Sequence, residues 1–126
     1  MKNERKFYTC PYCGNIITYI YNAGPTVVCC GEEMKELAPN TADAAQEKHV
    51  PVAVREGNKL TVSVGSVAHP MTEAHHIAWV IVAESGRTQR VDLVAAGAPA
   101  ADFYVGEGPV TVYAYCNLHG LWASEL

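Results

Sequence analysis

No stretch of this 126-residue chain is apolar for long, and its longest unbroken run, Ile77 to Ala83, is far too short to cross a bilayer. Positive charge is scarce as well. Nine Lys and Arg stand against 13 Asp and Glu, for a formal net charge of -4. That argues against general nucleic-acid binding, which needs a basic surface. The opening Met1-Lys2-Asn3-Glu4-Arg5-Lys6 leads into no apolar segment; a secretory signal is therefore not expected, and a soluble cytoplasmic protein is. There is no internal repeat and no low-complexity tract, Ala95 to Ala101 being merely alanine-rich and read as a loop. Charged residues make up only 17% and hydrophobic ones 49%, which excludes a disordered chain. The length allows one ordinary core, or one core plus a small lobe.

The cysteines are few and cannot all pair, because there are five, and Cys29 and Cys30 are neighbours. Adjacent cysteines suit ordinary disulfides poorly, and in a reducing compartment such a set is more often metal-binding or catalytic. Four of the five lie near the N-terminus. Cys10-Pro11-Tyr12-Cys13-Gly14 is a metal knuckle, in which a tight turn aims two sulfurs at one point and Gly14 permits the backbone this needs. Cys29-Cys30-Gly31 would complete a tetrahedral site of four thiolates, suited to zinc or iron. Zinc ribbons normally use two spaced pairs, so the adjacent second pair is the unusual feature. The runs around these cysteines, Ile16 to Tyr21 and Thr26 to Cys30, read as short strands turned at Asn22-Ala23-Gly24-Pro25. A unit this small rarely folds without a staple, and the metal would supply one.

Ala38-Pro39-Asn40-Thr41 marks the expected domain boundary, dividing residues 1–38 from 39–126. A helical turn is expected over Thr41–Gln46. Beyond His49 the chain reads as β. Val50–Arg55 and Lys59–Val64 flank a hairpin turn at Glu56-Gly57-Asn58, and Leu60, Val62 and Val64 alternate with polar residues. Ile77–Ala83, Thr88–Val94, Asp102–Val105 and Val110–Tyr115 follow. About seven short strands with turn signals between them predict an immunoglobulin-like Greek-key β-sandwich, so the whole chain is mainly β.

The fifth cysteine, Cys116, directly follows the last of these strands, and His119 follows three residues later. A thiolate and an imidazole at a strand end, with histidines upstream, point to a mononuclear centre of mixed nitrogen and sulfur ligands.

Taken together, these motifs resemble the desulfoferrodoxins, the two-iron form of superoxide reductase. Cys10-x-x-Cys13 with Cys29-Cys30 is similar to a desulforedoxin-type iron centre. Glu47-Lys48-His49-Val50-Pro51-Val52, Ala68-His69-Pro70-Met71, Glu73-Ala74-His75-His76-Ile77 and Cys116-Asn117-Leu118-His119-Gly120 are similar to the segments that hold the catalytic iron. The resemblance covers nearly the whole chain, and His76 stands where an aromatic residue is expected. It implies a desulforedoxin-like domain over 1–38 and a neelaredoxin-like superoxide reductase domain over 39–126.

It implies, further, two irons per chain: one held by Cys10, Cys13, Cys29 and Cys30, the other by His49, His69, His75 and His119 with the Cys116 thiolate axial. Five such ligands do not suit structural zinc, which is almost always four-coordinate. Adjacent residues in extended backbone point oppositely, so only one of His75 and His76 faces the metal, and the family order makes it His75. Backbone N–H groups near Leu118 and His119 would tune the sulfur. Glu47 is expected to cap the ferric ion after turnover and Lys48 to attract the anionic substrate, superoxide. A rubredoxin-like electron donor and a homodimer are the implied partners, with no nucleic acid and no membrane. The alternatives are a non-enzymatic iron electron carrier and a zinc-stapled binding module.

Overall fold

The computed structural model describes residues 2–126 and divides the chain into two compact units. Arg5–Ala38 is one. Pro39–Leu126, joined by the N-terminal residues up to Glu4, is the other.

The smaller unit is built from strands of two or three residues: β1 (Phe7–Thr9), β2 (Ile16–Thr18), β3 (Val28–Cys29), β4 (Glu32–Glu33) and β5 (Lys35–Glu36). A three-stranded antiparallel sheet has the order β2-β1-β5, and β3 pairs with β4 as a hairpin. Only Phe7, Cys10 and Met34 are buried hydrophobics in this unit. So small a core cannot offset the chain entropy of some thirty residues, which is why its cysteines matter to its fold.

The larger unit opens with one helical turn, α1 (Gln46–His49), and continues as β6 (Pro51–Glu56), β7 (Lys59–Val64), β8 (Ile77–Glu84), β9 (Arg87–Asp92), β10 (Ala100–Tyr104), β11 (Thr111–Cys116) and β12 (Gly120–Glu125). Seven strands form two antiparallel sheets, β10-β7-β6 and β12-β11-β8-β9. The inward faces meet in one core. Leu60, Val62 and Val64 of β7 supply one side, and Ile77, Val80 and Val82 of β8 with Val112 and Ala114 of β11 supply the other. Each fully buried Val or Leu contributes roughly 1.5–3 kcal/mol, so this end-to-end contact makes the sandwich a stiff frame. Among the described residues no helix is long and apolar enough to cross a membrane.

Two local expectations differ from what is seen, and one strand was not expected at all. The helical turn lies at Gln46–His49 and not at 41–46; the tertiary frame decides it, because the Glu47 carbonyl takes the Val67 N–H at 2.8 Å. Strand β10 begins at Ala100, inside the alanine-rich stretch read as a loop, since Ala100 and Ala101 pair with Ser63 and Val62. Strand β12, after the histidine motif, carries no clean alternation, and pairing with β11 along its whole length creates it.

Candidate metal centres

The four N-terminal cysteines converge. Their sulfurs all lie within 4.8 Å of one another, with Cys13 Sγ and Cys29 Sγ 3.6 Å apart. In the first knuckle the Gly14 N–H donates to the Cys10 carbonyl at 3.0 Å and the Cys13 N–H points at Cys10 Sγ at 3.5 Å.

The neighbouring pair has its own explanation. Cys29 pairs with Glu32, leaving Cys30 and Gly31 as a two-residue hairpin turn with φ of 53° and 80°. Positive φ at both positions is what a type I′ turn requires. Successive side chains of a strand point to opposite faces, but the turn swings Cys30 round to join Cys29. Electrostatics then calls for a cation. Cys10 is lowered to about 6, chiefly by the Cys13 N–H, whereas Cys30 is pushed up to about 12 by hydrogen bonding with Cys10, Cys13 and Cys29. The last thiol resists ionising beside its neighbours unless positive charge is present, and four such sulfurs suit a tetrahedral metal.

The second centre lies at one end of the sandwich. Cys116 is the last residue of β11, fully buried against the core. A register shift between Tyr115 and Cys116, opposite Trp79 and Ile77, marks a bulge in the pairing with β8; bulges re-aim side chains next to sites. Cys116 then pairs with Gly120 across the three-residue loop Asn117-Leu118-His119, and Gly120 closes it at φ 78°. This tight hairpin is the physical content of the Cys-x-x-His-Gly motif. It brings His119 Nδ1 to 3.8 Å from Cys116 Sγ and aims the His119 N–H at the same sulfur at 3.4 Å.

The histidines come from separate segments. His49 ends α1, His69 follows β7, and His75 precedes β8. With His119 they form a closed cycle of rings. Successive centroids, His49–His69, His69–His75, His75–His119 and His119–His49, are 4.6, 4.6, 5.2 and 5.0 Å apart, with interplanar angles of 78°, 82°, 75° and 86°. His49 and His75 face each other across the cycle at 6.4 Å. One donor atom each from His49, His75, Cys116 and His119 lies within 4.8 Å of the others. His69 stands outside that group, across the cycle from His119, and joins it through His49, Nε2 to Nε2 at 3.2 Å.

The donor set fits a metal ion on three grounds. First, His49 Nδ1 lies 2.7 Å from the Ala45 carbonyl and His69 Nδ1 2.7 Å from that of Pro70. A carbonyl only accepts, so each Nδ1 carries a proton and each ring turns its Nε2 inward. Second, His75 Nε2 is a buried nitrogen with no hydrogen-bond partner, which an apolar site would penalise. Third, burial foremost lowers His69 to about 4, and burial again, with repulsion from neighbouring histidines, lowers His75. Both are neutral near pH 7, as ligation requires.

The remaining expected residues flank the centre. Glu47 and Lys48 are exposed on α1 beside buried His49, and Lys48 is close enough for its charge to lower His75. His76 is turned away, its Nδ1 lying 3.0 and 3.1 Å from the Thr72 and Glu73 carbonyls. Sequence reasoning missed Trp122, whose Nε1 donates to the His119 carbonyl at 3.2 Å and whose ring lies 4.9 Å from that of His49. It missed Gly65 too, where a Cβ would stand 2.6 Å from the Glu47 carbonyl. A Trp in an unrecognised strand and a lone Gly gave no chemical signal.

A four-thiolate lobe and a seven-stranded sandwich with an imidazole cycle over a buried thiolate together define a two-centre non-haem metalloprotein, with donor sets consistent with two irons. The family models agree: "Desulfoferrodoxin, N-terminal domain" matches residues 2–37 and "Desulfoferrodoxin" matches 41–125. The chain belongs to the desulfoferrodoxin family. It is 46% identical over 124 residues to a desulfoferrodoxin homolog of Archaeoglobus fulgidus, covering 98% of this chain and 99% of that one. It is 45% identical over 125 residues to a desulfoferrodoxin of Syntrophotalea carbinolica, covering 99% of each. The crystal structure of the superoxide reductase from Treponema pallidum matches with a TM-score of 0.77 and 37% identity, over 96% of this chain and 98% of that one.

Proposed function

We propose that the chain is a superoxide reductase: superoxide, one electron and two protons give hydrogen peroxide, and no dioxygen is formed. The observation that carries this reading is the cycle of four imidazoles beside the buried Cys116 sulfur. His49, His69, His75, His119 and Cys116 would hold the catalytic iron; Cys10, Cys13, Cys29 and Cys30 would hold the other. When bound in the first site, ferrous iron supplies the electron, and the thiolate raises electron density on it.

The chain's own residues do the rest. Cys116, with no solvent exposure, keeps its sulfur dry, and the His119 N–H directed at it tempers its charge. Lys48 provides local positive charge for an anionic substrate in a protein of net charge -4. Glu47 is fixed by its backbone, because its carbonyl accepts from the Val67 N–H at 2.8 Å and the Ser66 hydroxyl at 3.2 Å. Its exposed carboxylate is left free and would be available to an iron held by the histidines.

The two domains expected from the sequence, 1–38 and 39–126, would divide the work between the four-thiolate centre and the reducing centre, with the N-terminal residues up to Glu4 packing in the larger unit. The family resemblance supports a cytoplasmic homodimer re-reduced by a rubredoxin-like carrier. Pulse radiolysis of the reduced, iron-loaded protein tests the activity. One peroxide per superoxide consumed, with no dioxygen, is expected; dioxygen at half the superoxide consumed would mean dismutation, and no reaction would leave an electron carrier.

A further inference from the structure

A ligating histidine usually owes its ring orientation to a hydrogen bond from its other nitrogen. His49 and His69 follow this rule through the carbonyls of Ala45 and Pro70, and His119 is fixed by the Cys116–Gly120 hairpin. His75 does not follow it. Its Nε2 is buried and unpartnered, and among the described residues no hydrogen bond reaches its ring.

The backbone around His75 is held instead, from both sides. Thr72 closes a turn on it: the Thr72 N–H donates to the His75 carbonyl at 2.9 Å, the Thr72 hydroxyl donates to the same oxygen at 3.1 Å, and the His75 N–H lies 3.0 Å from Thr72 Oγ1. Asn117 brackets it. Its Nδ2 donates to the Ala74 carbonyl at 2.9 Å, and its Oδ1 accepts the His76 N–H at 2.9 Å. The Asn117 N–H completes the clasp on the His76 carbonyl at 3.2 Å. Residues 74 and 76 are thus tied to the loop between Cys116 and His119, and the residue between them is the histidine whose ring has no support of its own.

We propose that Asn117 and Thr72 are positioning residues for His75, presenting its imidazole to the metal by clamping its backbone to the Cys116 hairpin. The proposal rests on the reading of His75 as a ligand, and goes beyond it. Two small polar side chains do for His75 what a carbonyl does for His49 and His69. Because one clasp joins the His75 loop to the Cys116 hairpin, the clamp sets the spacing of two donors at once. Loosening it leaves every ligand in the chain but lets one drift.

The test uses the full-length, iron-loaded protein and reads two signals: the thiolate-to-iron band of the histidine centre, and the rate at which bipyridine strips its ferrous ion. The four-thiolate band and far-UV circular dichroism serve as controls for folding. Asn117→Ala and Thr72→Ala should each speed iron loss roughly 10–100-fold, the scale seen when a ligand's supporting hydrogen bonds are removed, and shift the band. Thr72→Ser, which keeps the hydroxyl, should restore both. His75→Ala sets the scale for losing the ligand itself. Parent-like iron loss in Asn117→Ala and Thr72→Ala, beside fast loss in His75→Ala, overturns the clamp and spares the ligand. Parent-like loss in His75→Ala overturns the ligand reading and the clamp with it. Should Asn117→Ala not fold, the Thr72→Ala and Thr72→Ser pair decides alone.

Discussion

Nε2 of His49 and Nε2 of His69 lie 3.2 Å apart, with the Nδ1 of each ring turned to a backbone carbonyl. Each ring donates its Nδ1–H to a backbone carbonyl, so the two Nε2 atoms meet, with His119 Nδ1 3.1 Å from that of His49, in a site where both residues are only 3% exposed. A metal ion would satisfy nitrogens gathered in this way. Binding free energy at a site of this kind adds directly to folding free energy.

Metal should therefore stabilise the larger unit strongly. At free ferrous ion a hundredfold above the dissociation constant, the gain is about 2.7 kcal/mol. Anaerobic titration of metal-stripped protein should raise the melting temperature by several degrees. No rise on loading would mean that the inward-facing nitrogens do not serve a metal.

Cys13→Ser should empty the four-thiolate centre and leave the histidine centre loaded. The four sulfurs belong to Arg5–Ala38, and the histidines with Cys116 to the other unit. Iron content should fall from two per chain to one, the smaller unit should loosen, and superoxide should still be reduced. A single substitution that emptied both sites would contradict the division.

How far the sequence could be read depends on the kind of information each feature carries. The alternation of Leu60, Val62 and Val64 is local and appears directly as a strand with every second residue buried. The Cys116-x-x-His119-Gly120 motif is local as well, because one hairpin loop sets its geometry. The ring cycle is different. His49, His69 and His75 come together only because β7 ends, and β6 and β8 begin, at the same end of the sandwich, and no spacing encodes that. The clasp on His75 and the seat that Gly65 provides for Glu47 depend on backbone groups, which leave no residue signature. Strand β12 was illegible because its partner, and not its own pattern, orders it.

Gly65 makes a sharp test of the α1 segment. An added Cβ would stand 2.6 Å from the Glu47 carbonyl and 2.9 Å from that of Val50, both backbone atoms. The segment bearing Glu47, Lys48 and His49 would have to move away. Gly65→Ala should cost about 1–3 kcal/mol, as overpacking does, and weaken iron binding at the histidine centre alone. Parent stability in thermal melts, with unchanged iron content, would show that the segment has room.

Glu84 predicts a pH dependence. Burial raises its pKa, but the Gly106 N–H at 2.7 Å and Arg87 at 2.8–2.9 Å outweigh that and leave it below its ordinary value of 4.5. A carboxyl lowered on folding stabilises fully above its unfolded pKa, and the contribution is lost as pH falls through the folded one. Glu84→Gln should destabilise by about 1 kcal/mol near neutrality, a value discounted for exposed Arg87. The difference between parent and variant should vanish progressively below pH 4.5. Urea melts of both proteins across the acid range would reveal a constant difference if Glu84 were not the responsible group.

Lys48 bears on how superoxide reaches the site. The chain carries 9 basic and 13 acidic residues, so its overall field opposes an anion, and fast capture needs local positive charge. Lys48 is exposed in the last turn of α1, next to His49, and its charge is felt at His75. Steering by such a charge raises association rates by about 10–1,000-fold, and a single lysine belongs at the lower end. Lys48→Ile should slow the bimolecular reaction with superoxide roughly tenfold while leaving iron content and the thiolate-to-iron band unchanged. Salt adds a second signature. Screening acts over about 8 Å at physiological ionic strength, so added salt should slow the parent by hiding Lys48. In the variant the same salt hides only the net negative charge, and the slope should flatten or reverse. Pulse radiolysis of both proteins across a salt series measures rate and slope together, and equal values for the pair would remove Lys48 from the path of the substrate.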